Sequence, residues 1–161
     1  MVLSPTTQMP VSAIATTRSD PGTLKAYASL RFTGDRLEPG RITDILGAPP
    51  KTAYRKGEIY RRSRGHEVRG RTGLWLLSSN GAVDSADLNE HLTYLLAILF
   101  PANGEELVER LRTLMEDNGL EADVSCFWYG EHGARPPVVS EEVRAALARL
   151  PATIETDFDT D

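Results

Sequence analysis

The chain has 161 residues, a mass of 17.7 kDa, 40% hydrophobic and 25% charged residues, and a formal net charge of −5. That is enough chain for one domain with a true core, and the composition is ordinary for a soluble globular protein. No run approaches the ~18 apolar residues of a membrane span, the first 22 residues lack the charged start and apolar centre of a secretory signal, and one cysteine, Cys126, excludes an internal disulfide and fits a reducing cytoplasm.

Residues 1–22 are rich in Ser, Thr, Pro and small side chains and are expected to form a flexible N-terminal arm, with 23–161 as a single domain. Ala26, Ala28, Leu30 and Phe32 alternate with Tyr27, Ser29 and Arg31, which predicts a strand with one buried face. Pro39 then suits a helix start, Ile42, Ile45 and Leu46 fall at helical spacing, and Gly47 followed by Pro49 and Pro50 ends the helix. From Lys51 to Thr72 the chain is polar, broken by Gly57, Gly65 and Gly70, and reads as a hairpin or a long excursion. It carries eight basic residues against two acids, a local charge of +6 that leaves −11 for the rest.

Leu74 to Leu77 form a short buried strand closed by Ser78, Ser79, Asn80 and Gly81. Asp84 or Ser85 is expected to cap the next helix, with Asp87 in its first turn and Leu88, Leu92, Leu95, Leu96 and Leu99 along one face. Asn103 and Glu106 have the form of a capping box for a second amphipathic helix that closes at Asn118 and Gly119. Ala122 to Tyr129 is apolar or aromatic on both faces, as an inner strand would be. Ser140 caps a helix striped by Val143, Ala146, Leu147 and Leu150, Pro151 breaks it, and Thr153 to Phe158 alternates as a last strand with Ile154 and Phe158 inward.

Residues 26–60 and 122–159 echo each other as strand, loop, short helix, proline and extended segment, which suggests duplicated strand-helix units around one sheet. The expected fold is therefore α+β, a ferredoxin-like two-layer sandwich with a mainly antiparallel sheet, helices on one face, and the other face open.

Three histidines, His66, His91 and His132, fall in unrelated places without ligand spacing, so no metal or cofactor is expected. His91 borders the leucine stripe and reads either as a packed histidine or as one facing a cleft. Cys126, mid-strand, reads as a small core residue. No nucleophile elbow, phosphate loop or dinucleotide fingerprint occurs, and paired acids such as Glu141 and Glu142 suit helix starts without catalysis. The enzyme reading is the weaker one. In the basic stretch, Arg61, Arg62 and Arg64 beside Tyr54 and Tyr60 could track a phosphate backbone, or could pair with the protein's own acids, including the acidic tail. An acidic protein favours the second.

The order of Ser29-Leu30-Arg31-Phe32-Thr33-Gly34, Leu37, Pro39, Ile42-Thr43, Leu46-Gly47, Pro50, Lys56-Gly57, Thr72-Gly73-Leu74-Trp75, Leu88, His91-Leu92 and Leu95-Leu96 resembles a small bacterial family catalogued as domain of unknown function 4279. The resemblance implies a stand-alone cytosolic domain without an established activity, and marks Lys56, Trp75 and His91 as positions for a shared site or for structural support. The functional expectation is a non-enzymatic domain that binds an unknown protein partner, an immunity-type toxin inhibitor being one form. The alternatives are a small-ligand or enzymatic cleft near Arg31, Trp75 and His91, and nucleic-acid binding through residues 51–72. Exposed strand edges would also allow a homodimer.

Overall fold

The computed structural model describes residues 22–62, 64–102 and 104–161. The predicted N-terminal arm, apart from Gly22, and the Asn103 cap lie outside these. The elements run β1 (Thr23–Gly34), α1 (Pro39–Leu46), β2 (Thr52–Tyr54), β3 (Ile59–Arg61), β4 (Glu67–Arg69), β5 (Gly73–Ser78), α2 (Leu88–Leu99), α3 (Gly104–Asn118), β6 (Glu121–Gly130), α4 (Glu141–Ala148) and β7 (Thr153–Thr160).

Local chemistry sets the boundaries. Pro39 opens α1, and Gly47 closes it at φ 70°, where its N–H donates to the Thr43 carbonyl at 2.8 Å. The Ser140 hydroxyl accepts the Val143 N–H and caps α4. At α2 the cap is Asp87, which accepts the Asn89 N–H at 2.9 Å, and neither Asp84 nor Ser85 serves. Ser85 is otherwise engaged: its hydroxyl accepts the Asp87 N–H and donates to the Glu90 carboxylate, and its carbonyl meets the His91 ring.

Five strands form one sheet in the order β2-β5-β1-β6-β7, antiparallel except for the β6-β7 pair, while β3 and β4 make a separate hairpin. β1 and β2 are both antiparallel to β5, so they run in the same direction with β5 between them. Each echo of the sequence is thus a β-α-β unit with parallel strands, split around β5 in the first and adjacent in the second. The mixed α+β class and the largely antiparallel sheet agree with expectation. The strand order does not by itself establish the narrower ferredoxin-like type.

Alternation puts Ala26, Ala28, Leu30 and Phe32 of β1 on one side of the sheet with their partners Trp128, Cys126, Val124 and Ala122 of β6. Trp75 and Leu77 of β5 join them, and Ile42, Leu92, Leu95, Leu111 and Leu147 descend from the four helices to complete one core. Each fully buried side chain of this size contributes about 1.5–3 kcal/mol. Both buried indoles keep a polar partner: Trp75 Nε1 donates to Thr43 Oγ1 at 3.0 Å and Trp128 Nε1 to Thr23 Oγ1 at 2.9 Å. Among the described residues no helix is long and apolar enough to cross a membrane.

Candidate functional site

The second face of the sheet carries the other half of each alternation: Tyr27, Ser29, Arg31 and Thr33 on β1, opposite Phe127, Ser125, Asp123 and Glu121 on β6. No helix among the described residues lies over it. Its side chains pair across strands instead. Tyr27 and Phe127, directly opposite in register, stack with ring centroids 4.8 Å apart and planes 16° from parallel, and the Lys25 ammonium stands 5.8 Å from the Tyr27 centroid. Ser29 donates to the Ser78 hydroxyl of β5 at 3.2 Å.

Arg31 ties three strands together. Its Nε donates to Asp123 Oδ1 at 2.8 Å and its Nη2 reaches Glu155 Oε1 on β7 at 3.3 Å. The Asp123 hydrogen bond leads in raising the guanidinium's pKa, against a partial loss of hydration. At the end of β6, Tyr129 donates its hydroxyl to Asp161, whose carboxylate holds the phenol above its ordinary value. Glu155, Asp157 and Asp159 make the β7 edge of this face acidic and exposed.

The opposite edge is basic. Between β2 and β5 the chain leaves the sheet as the β3-β4 hairpin, an arm paired only within itself. Tyr54 is in register with Leu74 and hence on the uncovered face, and Tyr60 of the arm stacks on it at 4.1 Å with planes 3° apart. The Lys56 ammonium meets Asp35 Oδ2 at 2.9 Å and Arg55 pairs with Glu38, so the base of the arm is tied to the turn after β1. Asp35 is held below the ordinary carboxylate value, first by the hydrogen bond from Lys56 and then by that from Thr72. Arg61 pairs with Glu67 of the arm itself at 3.5 Å, while Arg62 and Arg64 are exposed and make no ion pair among the described residues. Of these three arginines only Arg61 pairs with one of the protein's own acids among the described residues, and that acid is Glu67 of the arm and not one of the tail.

Of the residues singled out from the sequence, Arg31 lies on the uncovered face and Tyr54, Lys56, Arg61, Arg62 and Arg64 belong to the arm or its base. Trp75 and His91 do not join them. Trp75 is fully buried on the helix side, paired with Phe32, so the β1-β5 sheet separates it from Arg31. His91 is only 2% exposed. Its Nε2 donates to the Ser85 carbonyl at 2.8 Å, and its Nδ1 stands 2.7 Å from the Ser79 hydroxyl, which also lies 3.1 Å from the Ala28 carbonyl. Ser79 Oγ in turn accepts the Ala28 N–H at 2.9 Å, so the group latches the end of β5 to β1 and α2. A serine beside a histidine is the beginning of a nucleophilic site, but Ser79 has no exposed surface. His91 is one of the residues lining an open cleft of about 610 Å³, together with Lys25, Asn80 and Asp84. Cys126 is buried and its thiol is pushed up to about 11 by desolvation, which keeps it from acting as a thiolate.

The sequence reading missed Tyr27, Phe127, Asp123 and Glu155 as members of one surface. The signal was present as the polar half of each alternation, but only the register joins the halves.

No curated protein and no solved structure matches the chain. The family described as Domain of unknown function (DUF4279) matches residues 24–161, which take in the sheet, its uncovered face and the arm, and the chain belongs to that family.

Proposed function

We propose that the protein is a non-enzymatic interaction domain that binds a protein partner through the uncovered face of its sheet. What supports this is the sorting of side chains about that sheet: aromatic rings and a shared arginine stand at the centre of a face that no helix among the described residues covers. Tyrosine, phenylalanine and arginine are the side chains that recognition surfaces concentrate at their centres. Here they are fixed on strands and by each other, so docking would cost little side-chain entropy. Groups suited to covalent chemistry, Ser79, His91 and Cys126, are turned inward. In a bacterial cytoplasm such a face suits an inhibitor of the immunity type, which acts by covering a toxin and not by turnover.

The test is a photo-crosslinking residue placed at Ser125, in the middle of the face, and separately at Ala145, exposed on α4. In cells making the protein, protein adducts form through position 125 and not through 145. Equal adducts at both positions, or none at 125, would overturn the proposal.

A further inference from the structure

Building on the reading of that face as a binding surface, we infer that in the absence of another protein its occupant is a second copy of this chain, seated about a two-fold axis that runs parallel to β1.

The strand order makes the face self-complementary. β1 is the middle of five strands, with the basic arm at the β2 edge and the acidic strand β7 at the other. When two such faces meet, a two-fold axis lying between them along β1 exchanges the edges, so each β2 edge is laid over the partner's β7 edge. The same rotation leaves the ends of the strands in place, and the register decides which acids the arm meets. Tyr54 at the base of the arm is level with Leu74, Thr33 and Glu121, and Thr52 is level with Leu76, Arg31 and Asp123. The arm therefore lies at the same end of the sheet as Glu121 and Asp123 of β6, on the other side of β1, and Glu155 of the β7 edge, level with Ser125, stands one row further in, where it shares Arg31 with Asp123. The rotation carries Arg61, Arg62 and Arg64 of each copy toward those acids on the other, twice per dimer.

Tyr27, on the central strand, lies next to the axis and meets its own counterpart, with Phe127 beside it. The arm itself favours this arrangement. A two-stranded hairpin is marginal in water, its Ile59 is 57% exposed, and besides its base ties it is held by the Tyr54-Tyr60 stack. The segregation of +6 in residues 51–72 from −11 elsewhere makes mutual attraction of two copies possible in one orientation and repulsive in a parallel overlay of like edges.

Sedimentation and light scattering on the full chain test this. The wild type is a dimer at low ionic strength and its mass falls toward that of a monomer as salt is added. Arg61→Glu with Arg62→Glu, and separately Glu121→Lys with Glu155→Lys, each weaken association by roughly a hundred-fold or more, since each double reversal sets like charges against one another along both edges of the dimer. Mixed in equal amounts, the two variants pair with each other, because each arm then faces the charge it needs. Circular dichroism and thermal melting verify that both variants fold, and the salt response of the wild type requires no variant. A wild type that stays monomeric at low salt, a dimer that ignores both reversals, or folded variants that fail to pair on mixing would each overturn the inference. If the wild type is monomeric but the crosslinker at Ser125 still captures another protein, self-pairing falls while the binding face stands. A monomer whose position 125 captures nothing overturns both.

Discussion

The rings of Tyr27 and Phe127 stack at 4.8 Å across β1 and β6, on the side of the sheet opposite the core that the helices build. Directly behind them on the buried side are Ala26, Ala28, Cys126 and Trp128, so the same two strands supply both a core and a surface. Loss of a ring on one side should therefore affect stability far less than loss on the other. A double-mutant cycle with Tyr27→Ala and Phe127→Ala is expected to give a coupling of about 0.5–1.5 kcal/mol. Phe32→Ala, from the buried side, should cost about 3–5 kcal/mol on its own. Chemical denaturation measures both, and equal costs on the two sides would show that the uncovered face is in fact covered.

Ser79 and His91 form a latch and are not a reactive pair. Ser79→Ala leaves the Ala28 N–H and His91 Nδ1 buried without partners, and a loss of about 2 kcal/mol is expected. Urea midpoints report it. Crosslinking through position 125 should persist in this variant at temperatures where it is folded, because the latch lies behind the face.

Cys126 links stability to alkaline pH. Burial raises its folded pKa to about 11 from an ordinary 9.0, so the unfolded chain gives up the thiol proton first. The contribution is whole below pH 9.0 and is lost as pH rises toward about 11. Relative to Cys126→Ala, the wild type should lose about 2 kcal/mol more across that window. Denaturation curves taken along the pH range test this, and at neutral pH a thiol reagent should modify the protein only as fast as it unfolds. Rapid labelling of the folded protein would contradict the burial.

The arm depends on its ties at Asp35 and Glu38. Asp35 titrates below its ordinary value of 3.8, so the Lys56 tie is complete above that pH and disappears as the pH falls through the lowered folded value. Lys56→Met should free the base of the arm without altering global unfolding, since exposed ion pairs contribute little to it. The amides of Gly57 and Gly70, which close the base of the hairpin, should lose protection from hydrogen exchange, relative to their intrinsic rates, in that variant and, in the wild type, below pH 3.8. Unchanged exchange would mean that the Tyr54-Tyr60 stack suffices to hold the arm.

Much of this was legible along the chain, and the reason is short range. A strand's two faces are written at every second residue, and the alternation from Ala26 to Phe32 is the one found. Helix ends depend on a few neighbouring groups, so Pro39, Gly47 and Ser140 stand where they were expected. The start of α2 shows the limit, because Asp84, Ser85 and Asp87 are all competent caps. Asp87 takes the position, while Ser85 is engaged by Asp87, Glu90 and His91.

The site is a different matter. Arg31 was a candidate by itself, but its partners Asp123 and Glu155 are 92 and 124 residues away along the chain. Which strand lies beside which, and in what register, is decided by how several apolar faces close over one core, and no local period carries that information. The sequence by itself determined the family resemblance, the long strands and helices, and which face of each of those strands is apolar, but left residues 51–72 open between a hairpin and a long excursion. Only the tertiary structure set β1 between β5 and β6, turned Trp75 and His91 inward, and put a basic arm and an acidic strand at opposite edges of one open sheet.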